Sequence, residues 1–342
     1  MSALVTGDAR VCSVKGCPSL YTGPECYGFL TLFFILAMSA LFNVFTAPYF
    51  FSHTYGVLAA LIVVWVCTLV CVGAIIRLLF SDPGIVPRAN SVRDQLDPVK
   101  KKFRERSPLM ALEMPIRTFP LRCKFCEACN VYRAPRVTHC SSCDCCMERF
   151  DHHCPWLGTC VGRRNYATFL VFMISLTLST LGMIAIAISH LALYTLDEYE
   201  SSDNMGQSIQ TTLANNIPVA ILLGIGFLFM WFVVGLTAYH AYLSAHAMTT
   251  YEHIRGAFET IGNPFDQGGW HRNIWAIFTE PSRPSWVNLQ TKKAHMPTKL
   301  DSVLESVVQP GITPLRTDSL LSLREPSSGS EPSRNCNSPS SL

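Results

Sequence analysis

Four stretches of this chain are long and apolar enough to cross a bilayer, and they constrain its fold more than any other feature. They run roughly from Tyr27 to Phe45, Val57 to Leu79, Phe169 to Leu191 and Val219 to Leu243. A helix needs about 20 predominantly apolar residues to span the hydrocarbon core. The first stretch outruns a signal-peptide core and no small-x-small cleavage site follows it, so it reads as a span. Only 15% of the residues are charged, against about 25% in soluble domains, which excludes an ordinary cytosolic enzyme. Mean hydropathy is nevertheless only +0.26, so very apolar segments must alternate with polar ones. A net charge of +3 is too small to argue for nucleic acid as a partner.

The basic residues orient the spans. The 46–56 and 196–216 connections hold no Lys or Arg, and the second of these carries Asp197, Glu198, Glu200 and Asp203. The connection from Ser81 to Tyr166 holds 15, including the cluster Lys100, Lys101, Lys102, Arg104 and Arg106. By the positive-inside rule, both termini and this central connection are expected in the cytosol. The tail from about Met296 is rich in Ser and Pro and reads as disordered.

Nine of the fifteen cysteines crowd between Cys123 and Cys160. In a reducing cytosol such clusters are metal ligands more often than disulfides. The spacing runs Cys126-x2-Cys129, then His139-Cys140-x2-Cys143-x2-Cys146, then His153 and Cys160. Short C-x2-C turns present two thiolates to one tetrahedral zinc, and six cysteines with two histidines make two Cys3His sites. A small loop-rich segment with few core residues gains its fold from such metals. Counting does not assign every cysteine, because Cys123 lies in phase with Cys126 and Cys145 neighbours Cys146.

Asp151-His152-His153-Cys154 is the second unusual feature. A thiol with a pKa near 8.5 needs a base or a cationic neighbour to act as a nucleophile at pH 7. His152 could take the Cys154 proton, with Asp151 fixing the imidazole tautomer, as in acid–His–nucleophile triads. On the opposing reading all four residues are metal ligands or orient them, since Asp–His pairs do that too. Cys154 lies about fifteen residues before the third apolar stretch, which puts it near the cytosolic face of the bilayer. There it could meet a thioester of a long-chain acid, whose chain gains about 0.8 kcal/mol per methylene buried in lipid.

These residues carry a family resemblance. The segment from Cys126 to Asn165 resembles the DHHC cysteine-rich domain of membrane protein S-acyltransferases, the palmitoyltransferases. It matches in order C-x2-C, the R-x-P-R-x-x-H-C run from Arg133 to Cys140, C-x2-C, D-H-H-C-P-W and C-V-G-x-x-N. Asp82-Pro83-Gly84, Thr249-Thr250-Tyr251-Glu252 and Asn263-Pro264-Phe265 leading to Asn273 are also similar to the family's motifs. Thr159 departs from the Asn that many members carry before the last cysteine, outside the ligand set.

The resemblance implies an all-α polytopic membrane protein with four transmembrane helices. A small cytosolic, loop-rich, two-zinc cysteine-rich domain lies between helices 2 and 3. The segments expected are 1–26 (cytosolic), 27–80 (spans one and two), 81–166 (cytosolic, with a zinc core at 123–165), 167–245 (spans three and four), 246–295 (membrane-associated) and 296–342 (the tail). It implies one structural zinc on Cys126, Cys129, His139 and Cys146 and another on Cys140, Cys143, His153 and Cys160, which leaves Cys123 and Cys145 over. Asp151 and His152 then activate Cys154, which takes the acyl group from palmitoyl-CoA and passes it to cysteines of membrane or peripheral substrate proteins.

The smaller features follow from that reading. Arg163 and Arg164, with Arg122 and Lys124, are candidate partners for CoA phosphates, or equally for anionic lipid. Thr249, Thr250 and Glu252 are expected to pack span four against the zinc module, and Asn273 to anchor a membrane-surface segment. His240 reads as a buried packing residue, and Ser179 and Gly182 as small residues that either leave room for an acyl chain or serve helix packing. Endomembranes, Golgi or endoplasmic reticulum, are the expected location, with plasma membrane the alternative and an accessory subunit possible. A zinc module without chemistry would give no role to Asp151, His152 and Cys154, and a channel would need more ionisable groups in the spans.

Overall fold

The computed structural model describes residues 26–53, 56–86, 111–116, 119–129, 131–259, 262–279, 287–288 and 293–294. Residues 1–25 of the N-terminal segment and the Ser/Pro tail of the sequence reading lie outside them, as do the 100–106 basic cluster and the side chains of Cys123 and Arg122.

Four helices are long and apolar enough to cross a membrane: α1 (Tyr27–His53), α2 (Gly56–Leu79), α3 (Tyr166–Ser202) and α5 (Ile217–Ala245). A short α4 (Met205–Asn215) joins the last two. All four spans anticipated from hydropathy are present, but three extend further. At 37 residues, α3 is about 55 Å long, well beyond a hydrocarbon core of about 30 Å. The acidic residues 197–203, read as a loop, therefore largely continue the helix. The reason lies in α4, which runs beside this extension along a polar seam: Thr195 Oγ1 donates to Thr212 Oγ1 at 3.0 Å, Ser202 and Ser208 hydroxyls meet at 2.7 Å, and His190 meets Asn216 at 3.0 Å.

Within the bundle the few polar side chains are turned toward one another. Trp65 Nε1 donates to Asn43 Oδ1 at 2.6 Å between α1 and α2. Thr68 and Ser179 hydroxyls meet at 2.6 Å between α2 and α3, and Thr177 and Thr237 at 2.8 Å between α3 and α5. Such bonds hold helices together where lipid offers polar groups no alternative. A Cβ at Gly182 would fall 2.4 Å from Val64 Cγ2. Ser179 and Gly182 thus face α2, which is the packing role weighed for them from sequence.

The cysteine-rich module is loop-rich, as expected, and its loops are pinned by short antiparallel ladders. Strand β5 (Thr138–Cys140) pairs with β6 (Cys145–Met147), which also takes β1 (Ile85–Val86) on its other edge. The longer β2 (Ala111–Ile116) and β3 (Phe119–Cys126) precede them, with β4 (Val131–Tyr132) on the end of β3. A last hairpin joins β7 (His152–Cys154) to β8 (Thr159–Val161), five residues before α3. After α5 come α6 (Thr250–Ile254) and α7 (Trp270–Thr279), then β9 (Val287–Asn288) paired with β10 (Lys293–Ala294).

Two tethers fix the module on the bundle. Asp82 Oδ1 accepts from the backbone N–H of Gly84 and Ile85 at 2.8 and 2.9 Å, which closes a turn that Gly84 completes at φ +110°. Gly84 O then accepts from Glu148 N at 2.8 Å, and a Cβ at Gly162 would fall 2.6 Å from Pro83 O. On the other side, Thr31 Oγ1 of α1 donates to Trp156 O at 2.7 Å, and a Cβ at Gly28 would fall 2.6 Å from Leu157 O. Cys154 and Leu157 accordingly share one core with Ile35, Ile75, Leu78, Phe169 and Phe172 of three spans.

Candidate active site

The ladders put the ligand sets together. Donor atoms of Cys126, Cys129, His139 and Cys146 all lie within 4.8 Å of one another, as do those of Cys140, Cys143, His153 and Cys160. In the first set Cys129 Sγ is 3.3 Å from His139 Nδ1. In the second, Cys143 Sγ is 3.4 Å from Cys160 Sγ, and His153 Nδ1 is 3.4 to 3.7 Å from all three sulfurs. Tetrahedral zinc with Zn–S near 2.3 Å spaces its sulfurs about 3.8 Å apart, so both sets fit that ion. The sets interleave along the chain, with the adjacent His139 and Cys140 on different ones. Cys145 belongs to neither and is fully buried, its Sγ 3.1 Å from Cys143 O.

Strand alternation separates metal binding from chemistry. In β7 successive side chains point to opposite faces. His153, in register with Cys160, faces the second ligand set, which leaves His152 and Cys154 on the other face, toward the spans. Asn165 holds the end of this hairpin: its Oδ1 accepts from Gly162 N at 2.8 Å and its Nδ2 donates to Cys160 O at 3.0 Å.

Asp151 is fully buried and both its carboxylate oxygens accept hydrogen bonds. Oδ2 accepts from His152 Nδ1 at 2.6 Å and from Thr250 Oγ1 at 2.7 Å, while Oδ1 accepts from Thr250 N at 2.9 Å. Burial opposes its ionisation, but the hydrogen bonds from His152 and Thr250 outweigh that and hold its carboxyl below the usual carboxylate range. For His152, burial disfavours the imidazolium, yet the bonds to Asp151 and to the Cys154 thiol prevail and push its pKa up to about 9. An imidazole so placed keeps a proton taken from the thiol. Cys154 itself is buried, in contact with the apolar core of the spans.

A second cluster holds Thr250 in place. Thr249 and Glu252 form a reciprocal capping box on α6, with Glu252 N donating to Thr249 Oγ1 at 3.2 Å and Thr249 N to Glu252 Oε2 at 2.9 Å. Arg136 grips the same carboxylate with Nε and one terminal nitrogen at 2.7 and 2.6 Å, donates to Ala247 O at 2.9 Å and stacks on Phe265 at 4.2 Å. Asn273 Nδ2 donates to Ala245 O at 2.8 Å, tying α7 to the end of α5.

A family model described as DHHC palmitoyltransferase matches residues 121–257. Palmitoyltransferase ZDHHC18-B of Danio rerio is 32% identical over 293 residues, 82% of this chain and 72% of that protein. Palmitoyltransferase ZDHHC18 of Rattus norvegicus is 33% identical over 318 residues, 89% and 74% of the two chains. The chain belongs to the DHHC palmitoyltransferase family. Palmitoyltransferase ZDHHC9 of Bos taurus is similar in the same measure, 34% identical over 272 residues, 75% and 70% of the two chains.

The structure brings the Asp82 turn, the Asp151–Cys154 stretch, Thr250 and Asn273 to the junction of module and spans. Thr250 turns out to touch Asp151 directly rather than only pack. Arg164 Nε lies 3.3 Å from Asp82 Oδ2, so its guanidinium faces the Asp82 turn. Arg163, part-buried, donates its backbone N–H to Glu148 O at 2.9 Å. Sequence reasoning missed Arg136 as the partner of Glu252 and His240 as a neighbour of the Asp151–His152 pair; no local pattern marks contacts between residues a hundred positions apart.

Proposed function

We propose that this membrane protein is a protein S-palmitoyltransferase working through a Cys154 acyl-enzyme. The observation that carries the reading is the Asp151–His152–Cys154 array set against the apolar core of the spans. In the first step the Cys154 proton passes to His152 as Sγ attacks the thioester carbonyl of palmitoyl-CoA. The carbon–sulfur bond to CoA breaks and the CoA thiolate takes the proton from His152. In the second, a substrate cysteine gives its proton to His152, attacks the Cys154 thioester and leaves Cys154 to be reprotonated. Each half exchanges one thioester for another, so the work is positioning. Asp151, locked by Thr250, holds the His152 tautomer that receives the proton.

The two Cys3His sets would hold structural zinc, which supplies rigidity rather than reactivity, and His153 thereby fixes the backbone on which Cys154 rides. The Lys/Arg asymmetry supports a cytosolic module and termini, and the segment boundaries of the sequence reading are proposed on the same ground. Acyl-CoA is the proposed co-substrate, with Arg163 and Arg164 the candidates for its phosphates, Arg164 also meeting Asp82. Endomembranes, Golgi or endoplasmic reticulum, are the proposed site, with cysteine-bearing membrane or peripheral proteins as acceptors and an accessory subunit as a possible partner.

The test is acylation of purified protein with a clickable palmitoyl-CoA. Wild type is expected to carry a hydroxylamine-sensitive label that Cys154→Ala abolishes at unchanged thermal stability. Absence of label on wild type, or its persistence on Cys154→Ala, overturns the reading.

A further inference from the structure

We propose that His240, near the cytosolic end of the fourth span, is a positioning residue for the His152 imidazole; this rests on the reading of His152 as the base. A histidine inside a span is costly unless partnered, and His240 is only 2% exposed. Its Nδ1 lies 3.4 Å from the Tyr166 hydroxyl, which is 3.3 Å from Ser244 Oγ. His240 and Ser244 are four residues apart on α5 and share one face toward Tyr166. This relay orients the His240 ring from behind.

In front of the ring lies the reacting pair. Donor atoms of Asp151, His152 and His240 lie within 4.8 Å of one another, and the two imidazole centroids are 5.7 Å apart. Phe169 meets both rings edge to face, at 5.5 Å from His152 and 4.8 Å from His240. The bond from His152 to Asp151 fixes one end of the ring, and the bond to Cys154 is given up when the sulfur attacks, so contacts on the ring itself must hold its plane. Phe169 and His240 supply those contacts, so His152 stays aimed at Cys154. Small losses of such alignment cost rate rather than affinity, up to about a hundredfold for 1 Å.

Rates of acyl-enzyme formation at varied palmitoyl-CoA, on full-length protein in lipid nanodiscs, test the assignment. His240→Phe keeps a ring against Phe169 but removes both nitrogens. It is expected to lower the maximal rate about tenfold with KM within about twofold of wild type. His240→Asn, which returns a polar group near the Nδ1 position, is expected to recover about half of that loss on a logarithmic scale. A His240→Phe rate within twofold of wild type overturns the assignment, as does a loss confined to KM or one that Asn does not recover. Should His240→Phe not accumulate as folded protein, Tyr166→Phe decides: about a threefold loss of maximal rate supports the relay, and an unchanged rate overturns it. Label persisting on Cys154→Ala would instead defeat the base reading itself, so the two failures are distinguishable.

Discussion

In the helix bundle the large apolar side chains face outward, with Phe33, Leu69, Leu228 and Trp231 each at least 67% exposed, whereas the module buries Asp151, Thr159 and Asn165 almost completely. The bundle gains its cohesion from length and lipid and uses isolated hydrogen bonds as seams. From Val131 to Val161 the strands of the module are two or three residues long, so cohesion there comes from the two ligand sets and from networks such as the one around Asp151. The difference teaches where precision is bought: Cys154 sits on the stiff side of the boundary and meets the fluid side through its neighbours.

Removing the metal should divide the two regions most sharply. Structural zinc contributes about 10 to 16 kcal/mol per site in small zinc folds. Stoichiometric chelation is expected to abolish acyl-enzyme label and open the module thiols to alkylation while circular dichroism retains most of the helical signal. Label surviving complete chelation would break the contrast.

Arg136→Gln comes next, because it leaves Glu252 buried without its cation, at about 3 to 5 kcal/mol. A lower melting midpoint and strongly reduced label are expected, with Arg136→Lys worse than its charge alone would suggest because the two-pronged grip is lost. The last two make the same chemical change on either side of the boundary. Thr250→Val deletes one bond to a buried carboxylate, about 2 kcal/mol or about thirtyfold in rate, measured as acyl-enzyme formation. Thr68→Val deletes the Ser179 bond inside the bundle, about 0.6 kcal/mol, and should leave the labelling rate within about twofold. Equal effects of the two would erase the distinction.

The same boundary explains what could be read from the sequence. Hydropathy reports burial in lipid, so the four spans were legible, but not the acidic end of α3, where Asp197 and Glu198 remain helical because α4 packs beside them. Spacing reports local turns, so eight ligands were legible, while their partition came only through the family resemblance. Strands as short as β5 and β7 carry no readable period. Thr250 was expected against the module, yet its bonds to Asp151, like the Arg136–Glu252 pair, join residues 99 and 116 positions apart, and nothing local to either partner announces them.

The interleaving of the ligand sets bears on how the chain is made. The first set closes when Cys146 emerges from the ribosome, and the second only with Cys160, six residues before α3 begins. The last ligand of the second set and the start of the third span therefore leave the ribosome almost together. If zinc fills the sets as proposed, a chain short of it would present α3 for insertion behind a thiol-rich segment that lacks its ligand-built fold.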